Sequence, residues 1–463
     1  MTPSGSAYIL GVGLTKFAKP QVCNEYVEMG HEAGAKALLE AHITYDSVDR
    51  AIASYCYGDS TCGQRVFYQF GMTQIPVYNV NNNCASGSTG MVMAVDFVKG
   101  GLADCVLVLG FEKMSPGSLG SNFEDRTNPL GLAMDMMNTK WPSSTEAPWA
   151  AQMFANAANE YIQKYGADPK DFAEVARVNH EHSQRNPYSQ FQSQYTHHQI
   201  MDSPTVYPPL TKLQCCPTSD GAAAAVVVSK SFLNAHPELK TRAVKVTGQS
   251  LATDSPSLYS GSAMSLVGYE MVKHTASLAL AEAGVNIADV KVAEVHDCFS
   301  SNEILTIDAI GFAPSGKGHE YVRDDQLTYG SKKAIINPSG GLISKGHPLG
   351  ATGIAQCAEL VWQLRGWANN RLVPVKAGQA ALQQNAGLGG ACVVTVLQRA
   401  DGQENALLTN SEITSVSGLG YNPAVEARGI TAKQAKQVRA KRWSAWAASK
   451  SSAIRRQVPA VSL

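Results

Sequence analysis

Cys84 is the residue whose type and position most directly suggest chemistry. It lies in the run Asn81-Asn82-Asn83-Cys84-Ala85-Ser86-Gly87, between an apolar stretch from Val77 to Val80 and a predicted helix of small residues. Backbone N–H groups and the positive dipole end at a helix start lower the pKa of a thiol and favour the nucleophilic thiolate. A buried structural cysteine is the commoner role for this residue type, so a nucleophile requires a partner.

A histidine far along the chain is that partner. His347 lies in Gly346-His347-Pro348-Leu349-Gly350-Ala351-Thr352-Gly353, a tight glycine-rich turn before another apolar helix. A nucleophilic cysteine needs a base, and the two can be distant in sequence. The pair predicts attack on a carbonyl, with Cys84 as the nucleophile and His347 as the base.

Composition indicates a compact protein with two or three domains. The chain has 463 residues, of which 16% are charged and 44% hydrophobic, and 38 basic residues balance 38 acidic ones. This balance leaves no overall field to attract nucleic acid or an anionic membrane. The longest apolar runs, such as Ala222 to Val228, fall far short of the ~20 residues of a membrane span. Ten scattered cysteines without framework spacing, and no secretory signal, favour a reducing compartment.

Three other clusters contain residue types that bind metals. They are Cys215-Cys216, His197-His198 and His180-Glu181-His182. None has the paired Cys-x2-Cys or His-Glu-x-x-His spacing of a metal site. We therefore expect no metal and assign these residues to packing or to the surface.

Short β-branched runs alternate with helical segments of small residues, and the order occurs twice. Such alternation predicts parallel or mixed sheets with helices on their faces. The first half has predicted strands at Tyr8 to Gly13, Val48 to Tyr55, Val77 to Val80, Asp104 to Gly110 and Gly221 to Ser229, and helices at Asn24 to Ala41 and Ala85 to Lys99. The second half has predicted strands at Val244 to Ser250, Val292 to His296, Ala380 to Asn385 and Ala391 to Leu397, and helices at Val267 to Ala283, Asn302 to Ile310 and Ala351 to Arg365.

Two such halves predict an internally duplicated α/β fold. Cys84 and His347 each precede the last predicted helix of their own half, so pseudo-twofold symmetry would bring both helix starts to one place. We expect the active site there. The predicted units are residues 1–114 with 215–240 for the N-terminal half, 115–214 for an inserted loop domain, 241–400 for the C-terminal half and 401–463 for a basic extension.

The inserted segment and the extension lack this alternation. Ser115 to Gln214 is either a substrate-covering lobe or a helical subdomain that only packs, and its length favours neither. Thr431 to Arg456 carries eight Lys or Arg and no acidic residue, with Trp443 and Trp446 between them. Membrane, nucleic-acid and targeting roles are alternatives there, but a solvated basic helix or disordered tail is the preferred interpretation.

The chain resembles thiolases over residues 7 to 399. The resemblance rests on Asn83-Cys84-Ala85-Ser86-Gly87, Gly346-His347-Pro348-Leu349-Gly350 and Gly387-Leu388-Gly389-Gly390, in this order. The tetrad His296-Asp297-Cys298-Phe299 is similar to that of thiolases of the sterol carrier protein 2 type. The resemblance implies a five-layered αβαβα fold, a homodimer, no tightly bound cofactor, and coenzyme A as a substrate in cleavage or formation of 3-oxoacyl-CoA.

One position departs from the family pattern. Thiolases usually carry a second cysteine two residues before the glycine that corresponds to Gly387, and this chain has Asn385 there. The resemblance to the sterol carrier group implies that Cys298 takes over the acid–base role. Cys392 is nearer in sequence but lies in a valine-rich strand, so we favour Cys298, because a reactive thiol needs an accessible polar setting.

The remaining roles also follow from the resemblance. It implies backbone N–H donors at Cys84 and Gly387 for the first oxyanion, and His296 with His347 as donors to the thioester oxygen of the acetyl-CoA enolate. Ser250 is a candidate for contact with the pantetheine arm and can equally be an ordinary strand-end residue. The expected function is degradation of fatty acids or sterol side chains, with release of acetyl-CoA or propionyl-CoA.

Other functions and the compartment stay open at this point. A biosynthetic acetoacetyl-CoA thiolase uses the same residues, whereas the Gly-His-Pro-Leu-Gly turn disfavours a 3-oxoacyl synthase of the same fold. A non-catalytic lipid-carrying or assembly subunit is the alternative of another class, although sixty extension residues are too few for a further lipid-binding domain. Val461-Ser462-Leu463 resembles a peroxisomal Ser-Lys-Leu address poorly, and related enzymes work in peroxisomes or in the mitochondrial matrix.

Overall fold

The structure is a computed structural model that describes residues 5–20, 24–115, 123, 125–143, 146–323 and 326–448. The strands of this part of the chain are β1 Ala7–Leu14, β2 Arg50–Ser54, β3 Val77–Val80, β4 Cys105–Glu112, β5 Thr205–Tyr207, β6 Leu210–Thr211, β7 Gly221–Ser229, β8 Val244–Ala252, β9 Val290–Glu294, β10 Ile335–Ile336, β11 Ala380–Gly387 and β12 Ala391–Arg399.

The α-helices of the same ranges follow in chain order. They are α1 Tyr26–Glu40, α2 Cys62–Phe67, α3 Ser86–Lys99, α4 Gly131–Lys140, α5 Trp149–Tyr165, α6 Pro169–Ser183, α7 His197–Met201, α8 Lys230–Ala235, α9 Ala263–Leu266, α10 Tyr269–Ala283, α11 Ser300–Ile310, α12 Gly318–Val322, α13 Leu349–Leu364, α14 Asn410–Val416 and α15 Ala432–Gln437. Every strand and helix expected from the sequence is present, with ends within two residues.

The sheet confirms the internal duplication. Of the described strands, ten form a mixed sheet in the order β10-β9-β11-β12-β8-β1-β7-β4-β2-β3. Counted from the centre, both halves place their own strands in the order first, fifth, fourth, second, third. The halves meet where β1 and β8 pair antiparallel, from Ala7 opposite Val246 to Ile9 opposite Val244.

Two glycines show that the outer helices pack alike in both halves. A Cβ atom at Gly11 of β1 would lie 2.1 Å from the carbonyl oxygen of Ala37 in α1. A Cβ atom at Gly248 of β8 would lie the same 2.1 Å from the carbonyl oxygen of Ala279 in α10. A side chain at either position would push the helix off its strand.

Helices α3 and α13 form the inner layer. They pack against each other, and both contact strands of the two halves, whereas α1 lies on the N-terminal half and α10 on the C-terminal half. Strand β4 shows the alternation, because Leu107 and Leu109 face the core beneath α1 while Val106 and Val108 face the inner helices. This arrangement is the five-layered αβαβα fold. Among the described residues, no helix is both long and apolar enough to span a membrane.

The segment between β4 and β7 contains α4 to α7 and the β5–β6 ribbon. Its buried residues, such as Phe154 and Val175, share one apolar core with Val272 and Ile304 of the C-terminal half. Most of the described part of this inserted segment therefore packs on the C-terminal half, whereas Tyr188 joins the apolar cluster around the inner helices.

The interpretation of Thr431 to Arg456 as a solvated basic helix or a disordered tail is correct only in part for residues 431–448. The short helix α15 has no buried residue, whereas the chain that follows it is fixed to the N-terminal half. The backbone N–H of Ala440 donates to Phe70 at 2.9 Å, and that of Tyr45 donates to Val438 at 2.9 Å. Val438 is fully buried, and Arg439 stacks on Trp443 at 3.8 Å from the ring centroid. The count of charges did not predict this packing, because it takes no account of Val438 and Ala440, which lie between the cations and are buried, whereas Trp446 is exposed. Residues 449–463, with the terminal Val461-Ser462-Leu463, lie outside the described residues.

Candidate active site

The starts of α3 and α13 meet, as the duplication predicts. A Cβ atom at Gly87 would lie 2.6 Å from the carbonyl oxygen of Gly350, so only small residues allow the two helices to approach this closely. Cys84 and His347 each stand two residues before their helix. Together with His296, they place one sulfur and two imidazole nitrogens within 4.8 Å of one another.

The loop that carries Cys84 is held by its neighbours. Asn83 adopts a left-handed backbone conformation with φ of 52°, which asparagine tolerates better than most residues, and this turns the chain from β3 towards α3. Its amide donates to the carbonyl oxygen of Leu388 at 3.0 Å, and its own carbonyl accepts the hydroxyl of Ser86 at 2.6 Å. The nucleophile loop is therefore fixed to the glycine-rich loop that follows β11.

The protonation of Cys84 differs from the sequence expectation. Burial raises the pKa of this thiol to about 12, and the neighbouring Glu112 carboxyl adds to the rise, while only a backbone hydrogen bond lowers it. The helix dipole acts mainly within the first turn, and Cys84 lies before that turn. A resting thiolate was therefore the wrong expectation, and Cys84 is a neutral thiol that must lose its proton during attack.

His347 has the geometry of the base that this requires. Its Nδ1 lies 2.7 Å from the hydroxyl oxygen of Thr352, and that hydroxyl donates to the carbonyl oxygen of Pro348 at 3.0 Å. Since the hydroxyl proton is committed to a carbonyl, Nδ1 carries the imidazole proton. Nε2 is buried, has no hydrogen-bond partner among the described residues, and is free to accept the thiol proton. Burial, then His296 and Lys345, hold the pKa of His347 well below its usual value, so it is neutral at rest.

His296 lies edge-on to His347, with 5.1 Å between the ring centroids. Its Nδ1 is 2.8 Å from the amide nitrogen of Asn385, and burial lowers its pKa to about 3. Its backbone is held on both sides, because its N–H donates to Gln384 Oε1 at 2.9 Å and its carbonyl accepts the Asn302 amide. The ring is therefore a neutral, fixed group at the cavity wall.

The two candidate acid–base cysteines lie in different surroundings. Cys298 lines the cavity together with Cys84 and is only 5% exposed, whereas Cys392 is fully buried. Burial, followed by the nearby thiols of Cys216 and Cys84, raises the pKa of Cys298 well above its usual value. The setting is less accessible than we expected, but it keeps Cys298 protonated and able to donate.

Gly387 lies at the end of β11, against the nucleophile loop. A Cβ atom there would lie 2.3 Å from the carbonyl oxygen of Asn82 and 3.0 Å from the backbone nitrogen of Ala85. Only glycine allows this approach. It brings the backbone of Gly387 to the cavity wall beside Cys84, where an N–H donor to a first oxyanion is needed.

These residues line a cavity of about 560 Å³ between the two halves and the inserted segment. Its wall is largely apolar away from Cys84, and includes Leu130, Trp149, Met153, Phe154, Leu266 and Met271. Ser250 pairs with Val394 across the sheet and is not one of the described residues that line the cavity.

Sequence reasoning missed three residues at the site. Cys56 and Cys216 line the cavity, and no local pattern distinguishes them from packing cysteines. Glu112, at the end of β4, is buried and accepts the backbone N–H groups of Tyr57 at 2.8 Å and Gly350 at 3.0 Å. It therefore connects a loop beside Cys84 to the start of α13, and burial raises its pKa to about 7.

Asp297 belongs to the same tetrad as His296 and Cys298, and it fixes that tetrad to the segments that contain Leu342 and Asn179. Its carboxyl accepts the backbone N–H of Leu342 at 2.6 Å and the amide of Asn179 at 3.0 Å. Burial and the neighbouring Glu303 raise the pKa of Asp297 well above its usual value. The residue lies behind the cavity wall, so its contribution is to position its neighbours.

Cys84, His296 and His347 are also the one group among the described residues whose donor atoms could together bind a metal ion. The three clusters that we assigned to packing or surface do not form such a group within those ranges. His180 contacts the carbonyl oxygen of Leu213, and His182 that of Asn337.

Comparison with known proteins identifies the family of this sequence. Residues 9–231 match the family model described as thiolase, N-terminal domain, and residues 253–399 match thiolase C-terminal domain-like. Sterol carrier protein 2 of Gallus gallus is 52% identical over 84% of this chain and 71% of its own length. An acetyl-CoA acetyltransferase of Methanothermobacter thermautotrophicus is 31% identical over 84% of this chain and 99% of its own.

Solved structures show the same fold. The Ltp2-ChsH2(DUF35) aldolase aligns with a TM-score of 0.69 at 22% identity, over 86% of this chain and 99% of its own. Human mitochondrial 3-ketoacyl-CoA thiolase in complex with CoA aligns with a TM-score of 0.62 at 18% identity, over 85% and 98%. The duplicated fold, the two matching family models and the identity to curated relatives lead to one conclusion: this chain belongs to the thiolase family.

Proposed function

We propose that this protein cleaves 3-oxoacyl-CoA with coenzyme A, giving acetyl-CoA or propionyl-CoA and a shortened acyl-CoA. The observation that carries the proposal is the grouping of the Cys84 sulfur with the imidazoles of His296 and His347 within 4.8 Å, at the wall of a largely apolar cavity. A nucleophile, a base and a second neutral imidazole are the groups that a reversible Claisen reaction needs.

The first step forms the acyl-enzyme precursor. The thiol of Cys84 gives its proton to Nε2 of His347 as the sulfur attacks the ketone carbon. The resulting oxyanion accepts hydrogen bonds from the backbone N–H groups of Cys84 and Gly387. Loss of one such donor typically costs ~10²–10³ in rate.

The second step breaks the carbon–carbon bond. The electron pair moves to the thioester half, whose enolate oxygen accepts hydrogen bonds from His296 and the protonated His347. The thiol of Cys298 gives its proton to the enolate carbon and becomes a thiolate, which completes acetyl-CoA.

The third step restores the enzyme. Coenzyme A gives its thiol proton to Cys298 and attacks the acyl group on Cys84. The released sulfur of Cys84 recovers its proton from His347. All protons are then accounted for, and the same residues run the reverse condensation.

The cavity wall supports fatty or sterol-derived acyl groups as substrates. Trp149, Met153 and Phe154 come from the inserted segment, and Leu266 and Met271 from the C-terminal half. We further propose that coenzyme A binds between these two parts, that no cofactor is held tightly, and that the protein is a homodimer of the peroxisome or the mitochondrial matrix. Contact of Ser250 with the pantetheine arm stays a proposal that no contact supports, since this residue is not among the described residues that line the cavity.

The test is turnover by the purified protein. Acetoacetyl-CoA and longer or 2-methyl-branched 3-oxoacyl-CoA are each incubated with coenzyme A, and the products are identified by mass spectrometry. We expect two acyl-CoA products from each accepted substrate and none from Cys84→Ala, while Cys105→Ala, altered in a buried strand, keeps turnover. Binding of acyl-CoA without any product would refute the proposal and support the lipid-carrying alternative.

A further inference from the structure

We propose that Asn385 sets the tautomer of His296, so that Nε2 carries the proton and is a hydrogen-bond donor to the enolate oxygen. This inference rests on the proposed function for its chemistry, but the hydrogen-bond arrangement behind it does not. Asn385 is fully buried and is not among the described residues that line the cavity. It is therefore a positioning residue, which acts on the reaction through His296.

A chain of hydrogen bonds fixes which end of Asn385 faces His296. It begins at the backbone carbonyl oxygen of Gln384, which can only accept, and which receives the amide of Gln356 at 3.2 Å. The Oε1 atom of Gln356 therefore points the other way and accepts the amide of Gln383 at 2.9 Å. The orientation of both glutamines follows from one backbone atom.

The second part of the chain reaches the imidazole. The amide of Gln383 also donates to the hydroxyl oxygen of Ser88 at 2.9 Å. That hydroxyl then donates to Oδ1 of Asn385 at 3.0 Å, which leaves the Asn385 amide facing Nδ1 of His296 at 2.8 Å. An N–H group faces this nitrogen, so Nδ1 accepts, and the single proton of the neutral ring is on Nε2.

The surroundings maintain this direction. Ser88, Gln356, Gln383 and Asn385 are all fully buried, so water cannot supply alternative partners. Gln383 keeps its orientation although its Oε1 has no partner among the described residues, because reversal would set two carbonyl oxygens against each other. Gly353 provides the space, since a Cβ atom there would lie 1.9 Å from the Ser88 hydroxyl oxygen.

The substitution Asn385→Asp reverses the constraint with almost no change of shape. A carboxylate only accepts, so Nδ1 must carry the proton, and Nε2 becomes a donor only when the ring is doubly protonated. Among the described residues, the imidazole of His347 lies edge-on to His296, and the thiols of Cys84, Cys216 and Cys298 line the same cavity; these four groups are neutral at rest. The same lining also contains the titratable side chains of Tyr57, Tyr259 and Asp254.

The new carboxylate therefore controls the charge of the ring and raises the pKa of His296. Below that raised pKa the enolate donor is present, and it is lost as the pH rises through it. The wild-type protein has no such titration in the neutral range, because burial lowers the pKa of its His296 to about 3.

The experiment compares two routes to the same product, acetyl-Cys84, detected by rapid quenching and intact mass spectrometry. Acetoacetyl-CoA acetylates Cys84 with expulsion of an enolate, whereas acetyl-CoA acetylates it with expulsion of a thiolate. For Asn385→Asp we expect the rate from acetoacetyl-CoA to fall ~10²–10³-fold as the pH rises, the loss of one oxyanion donor. The rate from acetyl-CoA should follow that of the wild type. Thr395→Val, which changes a buried polar residue of the same hairpin, should leave both rates unchanged.

Three outcomes distinguish this inference from the proposed function. A wild-type protein that acetoacetyl-CoA does not acetylate refutes the proposed function. A wild-type protein acetylated by both donors, with an Asn385→Asp variant whose two rates change together or show no pH effect, refutes the role of Asn385. If the variant does not fold, two-bond ¹H–¹⁵N correlations of the wild-type histidines, assigned against His296→Gln, decide the matter: a proton on Nε2 supports the tautomer, and a proton on Nδ1 overturns it.

Discussion

Cys298→Ala should lower activity with little change in stability, whereas Cys392→Ala should lower stability with little change in activity. General acid–base catalysis contributes ~10²–10⁴ in rate, which corresponds to roughly 3–5 kcal/mol of barrier. Cys298→Ala should lose that much in thiolysis, because no proton reaches the enolate carbon. Its stability should change little, since the side chain lines a cavity and its removal only enlarges that cavity.

Cys392→Ala should keep turnover and lose stability instead. Its sulfur is fully buried and accepts the amide of Gln384 at 3.7 Å, so its removal leaves that amide without a partner. An unsatisfied buried donor costs about 1–3 kcal/mol. Thermal unfolding should show the loss, and the thiolysis rate should not.

The assay pairs thiolysis with acetylation of Cys84 by acetyl-CoA, which needs no proton transfer to carbon. Cys298→Ala should remain competent in the second reaction, which separates a lost acid from a damaged nucleophile. The reasoning is refuted if Cys392→Ala is inactive beside an active Cys298→Ala. It is equally refuted if Cys216→Ala, which alters the rival thiol of the cavity, is the inactive variant.

Three further results should follow. Alkylation of Cys84 by iodoacetamide should accelerate with pH beyond neutrality, since its thiol pKa is raised to about 12; a plateau below neutral pH would reveal a resting thiolate instead. Glu112→Gln should lower the free energy of unfolding by about 1–3 kcal/mol at a pH below the unfolded carboxyl pKa, where the wild-type group is protonated in both states, because the NH₂ group of Gln cannot accept the N–H donors. Since burial raises the pKa of Glu112 to about 7, wild-type stability should decline between the unfolded carboxyl pKa and about 7, and the variant should lack that decline; unchanged denaturation curves would contradict this role. Truncation after Asp401 should lower the thermal midpoint, since each large buried apolar side chain of the extension, such as Val438, contributes roughly 1.5–3 kcal/mol; an unchanged midpoint would show that the extension does not pack.

The fold was predictable because its signals are local. Strand β3 and strand β7 have the bounds that their apolar runs predict, and the repeated order of strands and helices was visible without any contact information. The meeting of Cys84 and His347 followed from that repetition alone. Each residue precedes the corresponding helix of its own half, and the pseudo-twofold symmetry brings the starts of these two helices together.

Contacts between the halves were not predictable in the same way. Glu112 reaches Gly350 across 238 positions, and Ser88 reaches Asn385 across 297. Neither pair lies in a motif that specifies its partner, because the register of strands and helices decides which side chains meet. The packing of the extension was not predicted for another reason. Its charged residues are frequent, but the residues that fix its position are the few apolar ones.

The protonation states of the site also depend on the global structure. They explain why burial of the site costs little free energy. A charged group without water costs several kcal/mol, which paired charges recover only with good geometry. Here burial raises the pKa of the Cys84 and Cys298 thiols and lowers that of His296 and His347, so these four groups are neutral at rest. The first charge separation then arises when Cys84 passes its proton to His347, at the moment when an oxyanion and its N–H donors form beside it. Such a site stabilises charge only along the reaction, which is the condition under which binding energy accelerates chemistry.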